Sequence, residues 1–141
     1  MSRIFWDTNL FIYLLEKNGP FSERVFTLRE RMIERGDELC TSTMTLGEIL
    51  VWPLRQGHSD IAQAYEEALS PPATTVLAFD RPCARRYAQI RQDRSIQAPD
   101  AIQLACAAQG RCDMFITNDD RLSRKVAPGI QFIVSLERAP L

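Results

Sequence analysis

The feature that most constrains this chain is an alternation: short runs rich in apolar and β-branched residues give way, again and again, to longer stretches with helical spacing. Ser2–Trp6, Glu38–Met44, Thr74–Phe79, Met114–Thr117 and Ile130–Ser135 read as strands. Between them, Leu10–Lys17 reads as a short helix broken by Gly19-Pro20. Pro20–Arg35 carries Phe21, Val25, Leu28 and Met32 at helical spacing and closes on Gly36 as a C-cap. Thr45–Gln56 and Ser59–Leu69 are helical, Asp80 caps a helix running to about Arg91, and Pro99–Gln109 is an alanine-rich helix. Asp119–Lys125 is a short helix before the last strand. Strands separated by helices of this length need crossover connections, which gives a mainly parallel sheet of about five strands covered on both faces. The class is α/β with a surplus of helix, and residues 1–141 form one domain.

Several function classes fall away on simple chemical grounds. Cys40, Cys83, Cys106 and Cys112 form no C-x-x-C pair, and His58 is the only histidine, so a Cys/His zinc site is not expected. The cysteines read as core thiols of a reducing compartment. A serine or cysteine hydrolase would need His58 as its base, yet "RQGHSD" reads as a turn between helices. "LFIYLL" is six residues long, against the roughly 18 to 20 of a membrane span, and the expectation is a cytoplasmic protein with no membrane partner. The net charge is −1, so a polyanion would have to be met locally rather than drawn by a global field.

Of the 18 acidic residues, most punctuate solvated helix faces such as "FSERVFTLRERMIERGDE". Four stand apart. Asp7 follows the first strand in "IFWDTNLFIYLL", and Asp119 follows the fourth in "MFITNDD". Ligands of open parallel sheets bind beyond the carboxyl ends of strands, so both point where a site would form. Glu48 and Asp100 sit near helix starts. Each acid also has a purely structural reading: an Asx turn for Asp7, an N-cap for Asp119, a capping box in "TLGE" for Glu48, and a helix dipole contact after Pro99 for Asp100. Convergence of all four would require a compensating cation. A hard divalent ion suits an all-oxygen set, with Mg2+ the first choice and Mn2+ an alternative. Such an ion activates water and neutralises charge on a phosphoryl group, which points to phosphodiester hydrolysis.

Taken in order, these segments resemble the PIN-domain family, and within it the VapC-like toxin ribonucleases of VapBC toxin–antitoxin pairs. "IFWDTNLFIYLL" is similar to the family's opening strand and its Asp-Thr/Ser-Asn signature, "TSTMTLGEIL" to the segment bearing the second acid, and "APDAIQLACAAQGRCDMFITNDDRL" to its most distinctive block. The resemblance implies a PIN-like three-layer α/β/α fold. It implies that Asp7, Glu48, Asp100 and Asp119 hold one or two Mg2+ or Mn2+ ions and carry the catalysis, with Asn9, Thr117 and Asn118 orienting them. Family members place the fourth acid two residues after the threonine, which selects Asp119 over the adjacent Asp120. The implied activity is endonucleolytic cleavage of single-stranded RNA, with Arg121 and Arg124 as candidate grips on flanking phosphates.

The same resemblance implies a homodimer and a cognate antitoxin that blocks the site. Phe21, Val25, Leu28 and Met32, with Leu50 and Leu54, are candidates for its groove; a core stripe is the other reading. Two rivals to the nuclease stand beside it. One is a non-catalytic PIN-fold module that binds RNA or protein. The other is a Mg2+-dependent phosphatase of the haloacid-dehalogenase type, which would want an aspartate where Asn9 stands and a catalytic lysine, for which only Lys17 and Lys125 exist. Trp52-Pro53, just after Glu48, predicts a kink or an early end to that helix.

Overall fold

The computed structural model describes all residues, 1–141. Its elements run β1 (Arg3–Trp6), α1 (Thr8–Glu16), α2 (Ser22–Arg35), β2 (Glu38–Ser42), α3 (Thr43–Arg55), α4 (Ser59–Ala68), β3 (Thr75–Leu77), α5 (Arg81–Ile90), α6 (Ala98–Gln109), β4 (Met114–Thr117), α7 (Asp120–Ser123) and β5 (Ile133–Ser135), followed by one 3-10 turn at Leu136–Arg138. The five strands form a single sheet in the order β3-β2-β1-β4-β5, every pairing parallel. The α/β architecture expected from the alternation is present.

Side chains alternate across the sheet and so divide the core in two. Phe5, Cys40 and Phe115 point to one face, where they meet α5 and the alanine-rich α6. Phe5 and Phe115 stack in register across β1 and β4 with ring centroids 5.0 Å apart. Ile4, Trp6, Leu39 and Ile116 point to the other face and pack on Leu10 and Phe11 of α1, on Val25, Leu28 and Met32 of α2, and on Ile49 of α3. The helical stripe on α2 is therefore core, which removes Val25, Leu28 and Met32 as groove residues; Phe21 is partly exposed and tilts against Tyr13 at 5.1 Å. Burying that stripe withdraws three large apolar side chains from water, worth roughly 1.5 to 3 kcal/mol apiece.

Several boundaries differ from expectation. Helix α1 begins at Thr8, two residues early, because Asp7 itself is its cap, accepting from the Thr8 N–H at 2.9 Å. Helix α3 begins at Thr43, because Ser42 caps it and accepts from Thr45 N–H, so "TLGE" is no capping box and Glu48 lies a full turn inside the helix. Pro53 does not break α3. It stands two residues before the helix end, so the i−4 hydrogen bond it forgoes is one of the last. Strands β3 and β5 are shorter than the apolar runs that contain them. All four cysteines are free and buried, as core thiols should be. No helix is long and apolar enough to cross a membrane.

Candidate metal centre

The site lies beyond the carboxyl ends of β1 and β4, the two central strands. Asp7 leaves β1 directly, its backbone N–H still bonded to Ile116 O at 2.9 Å as the sheet runs out. With 9 % of its surface exposed, its carboxylate is the most buried of the four, and each oxygen has protein donors. Oδ2 accepts from Thr117 Oγ1 at 2.7 Å; Oδ1 accepts from Thr8 N–H and, at 3.3 Å, from the Gln103 amide. A buried carboxylate supplied with donors in this way is held in one rotamer.

Glu48 comes from the second turn of α3 and is exposed. Its Oε1 accepts from Thr8 Oγ1 at 2.6 Å, which ties α3 to the start of α1. Asp119 is exposed and caps the one-turn helix α7 by accepting from the Arg121 and Leu122 N–H groups at 2.9 and 3.2 Å. The structural reading of Asp119 is thus correct as geometry, and it leaves one oxygen free for other work. Asp120 is the first residue of α7 rather than its cap. Asp100, in the first turn of α6, is half-buried and has no hydrogen-bond partner. Its carboxyl is pushed up to about 6, first by burial and then by the charges of Asp7, Asp119 and Glu48, with Arg121 pulling the other way. All four acids therefore share one electrostatic neighbourhood.

Of the three residues expected to orient the acids, Thr117 bonds to two of them, whereas Asn9 and Asn118 bond to each other and to no acid. Thr117 Oγ1 also accepts from Asp119 N–H at 3.1 Å, linking two of the acids through one hydroxyl. Asn9 Oδ1 accepts from Asn118 N–H at 3.3 Å, and the Asn118 amide donates to the Tyr13 hydroxyl at 3.0 Å. Gln103, 2 % exposed, is a hub that the sequence did not assign. Its amide nitrogen donates to Thr45 Oγ1 at 2.7 Å, Thr8 Oγ1 at 3.2 Å and Asp7, while its carbonyl oxygen accepts from Ser42. The available signal was a glutamine on the otherwise small, apolar face of α6.

The donors are all oxygen and carry four acidic groups with Arg121 beside them, a set that suits a hard divalent cation. No three of them close around a single point as they stand. Arg121 lies beside Asp100 and Asp119, whereas Arg124 does not reach them. Because α7 is only one turn long, the chain has already swung toward β5 at Arg124, which lines a different cleft with Ser135 and Arg138.

A sequence model described as PIN domain matches residues 4–127. No curated protein matches the chain. Among solved structures, the chain is similar to VapBC2 from Rickettsia felis bound to a promoter DNA fragment, with a TM-score of 0.74 and 15 % identity over 94 % of this chain and 98 % of that one. It is similar to DNA-bound VapBC from Salmonella typhimurium at TM-score 0.72 and 25 % identity, covering 96 % and 99 %. FitAcB from Neisseria gonorrhoeae gives 0.62 and 26 %, covering 82 % and 87 %.

Proposed function

The chain belongs to the PIN domain family, and from that premise we propose that it is the toxin of a toxin–antitoxin pair, a Mg2+-dependent endoribonuclease acting on single-stranded RNA in the cytoplasm. The observation that carries the reading is the half-buried, partnerless Asp100 carboxyl at the mouth of the sheet, pushed up by burial and then by the charges of Asp7, Asp119 and Glu48. Asp7, Glu48, Asp100 and Asp119 would hold Mg2+, or Mn2+ in its place, directly or through water. When bound, the ion offsets negative charge at a phosphodiester and activates water for attack on phosphorus.

The chain's own residues do the rest. Thr117 and Gln103 fix the Asp7 rotamer, and Thr8 fixes Glu48. Thr117 couples Asp119 to Asp7, and the Asn9–Asn118–Tyr13 chain of hydrogen bonds braces the turn between β4 and α7. Such bracing keeps the acids where charge develops without reorganisation during the reaction. Arg121 neutralises part of the local negative charge and is placed to meet a phosphate.

For the antitoxin, the reading takes a trough of about 590 Å³ between α1, α3 and α4, lined by Leu15, Trp52, Ile61 and Tyr65. It replaces the groove expected on α2. Similar folds are found in VapBC and FitAcB complexes, which supports a protein partner. A homodimer is part of the same reading, and its test is the solution mass by sedimentation equilibrium.

The functional test is cleavage of a single-stranded RNA by purified wild type and Asp7→Asn, each with Mg2+ and with chelator. Cleavage by the wild type with Mg2+ alone is expected. Equal cleavage by Asp7→Asn would refute the nuclease and favour a PIN-fold binding module whose preparation carries a contaminant.

A further inference from the structure

Beside the four acids, a notch of about 40 Å³ opens between the Ser95–Gln97 turn that precedes α6 and the end of α7. It is lined by Asp100 and Asp119 on the side of the acids and by Arg121, Lys125, Ser95 and Gln97 on the other. The space holds about three water centres, enough for one tetrahedral phosphate and too little for a nucleobase. Its floor is rigid. Ile96 and Leu122 are buried at 1 % and 3 % exposure, and Arg91 donates to Ile96 O at 3.0 Å, pinning the turn.

Neither cation of the notch is in an ion pair, although Lys125 lies near enough to Asp93, and Arg121 to Asp100, to act on their carboxyls. The protein's only ion pairs are Arg3–Glu38 and Arg35–Asp37. Lys125 Nζ donates instead to the neutral Ser95 hydroxyl at 2.7 Å. Ser95 Oγ in turn donates to Asp93 Oδ1 at 2.6 Å, and Asp93 also accepts from Ser95 N–H. Asp93 stands behind the serine and does not line the notch. This relay holds the ammonium by one of its three protons, and two remain to donate. Arg121 presents a planar fork suited to two oxygens of one phosphate.

We propose that this notch seats a backbone phosphate of the single-stranded RNA next to the one presented to the acids, with Lys125, oriented by Ser95, as its positioning residue. The inference rests on the nuclease reading for the identity of the strand. The notch's two positive side chains face two acids, so the seat attracts a phosphate once a divalent ion has offset Asp100 and Asp119. Occupancy would set the register of the strand and require at least one phosphate beyond the scissile one.

The test is fluorescence anisotropy with an uncleavable, fully 2′-O-methylated single-stranded oligonucleotide, titrated over a range of salt in Mg2+. Lys125→Gln is expected to weaken binding three- to tenfold and to reduce the slope of log affinity against log salt by about 0.7, the value for one lost phosphate contact on a single strand. Lys125→Arg is expected to restore the slope, and Ser95→Ala to weaken binding about twofold with the slope unchanged. An unchanged affinity and slope in Lys125→Gln overturns the seat, as does a wild type that does not bind. If binding responds as expected while wild type cleaves no RNA, the seat stands and the nuclease reading fails. If wild type cleaves and Lys125→Gln binds normally, the reverse holds.

Discussion

Thr117 Oγ1 donates to Asp7 Oδ2 over 2.7 Å and so joins the carboxyl ends of β4 and β1, two residues 110 positions apart in the chain. Both are buried, so the bond is not exchanged for water at little cost. Thr117→Val keeps the shape of the side chain and removes the bond. It should lower stability by about 1 to 3 kcal/mol in urea unfolding and divalent-ion affinity by about 10- to 100-fold, while Thr117→Ser stays near wild type. Equal ion affinity in Thr117→Val would mean that the hydroxyl does not position Asp7.

Gln103 supports three hydroxyls and Asp7 at once. Gln103→Leu fills the space but orphans several of these buried groups, and a loss of roughly 2 to 4 kcal/mol is expected by thermal or chemical unfolding. A neutral result would show that the hydroxyls find other partners and that the network is not what holds the site together.

How far this arrangement was readable from the sequence depends on the residue. Asp7 and Asp119 were legible because a strand end is a local signal, and Asp100 because a proline fixed the start of its helix. Glu48 shares the electrostatic neighbourhood of the other acids, but "TLGE" is no capping box, because Ser42, three residues before Thr45, caps the helix instead. Gln103 gave only a weak hint, since a polar residue on a helix face is ordinary until three other elements present hydroxyls to it. Val25, Leu28 and Met32 show why an apolar stripe does not say whether it faces core or partner. Lys125 and Ser95 meet across 30 residues, which no periodicity reveals.

The elevated Asp100 carboxyl has a pH signature. Its value in the fold, about 6, lies above the ordinary 3.8, so between those values the native state binds more protons than the unfolded chain. Stability from this group is present below about pH 4 and is lost as pH rises through 6. In chelator, Asp100→Asn should therefore raise the melting temperature relative to wild type at pH 7.5, with the difference fading toward pH 4. Melting curves that stay parallel across this range would show that Asp100 is not held in a crowd of charge.

Trp52 is half exposed on the trough between α1, α3 and α4, one helical turn after Glu48. Trp52→Ser should weaken capture of the cognate antitoxin at least tenfold, as loss of an aromatic anchor does. Undiminished capture in a pull-down would place the partner elsewhere.

The central claim is that four acids from four separate segments act as one divalent-ion site. Its most direct test is Mn2+ titration of the RNA-free protein, with free Mn2+ read by electron paramagnetic resonance. Wild type should bind, with Asp7→Asn and Asp100→Asn each at least tenfold weaker and Asp120→Asn unchanged. Wild-type affinity retained by both Asp7→Asn and Asp100→Asn would contradict the claim.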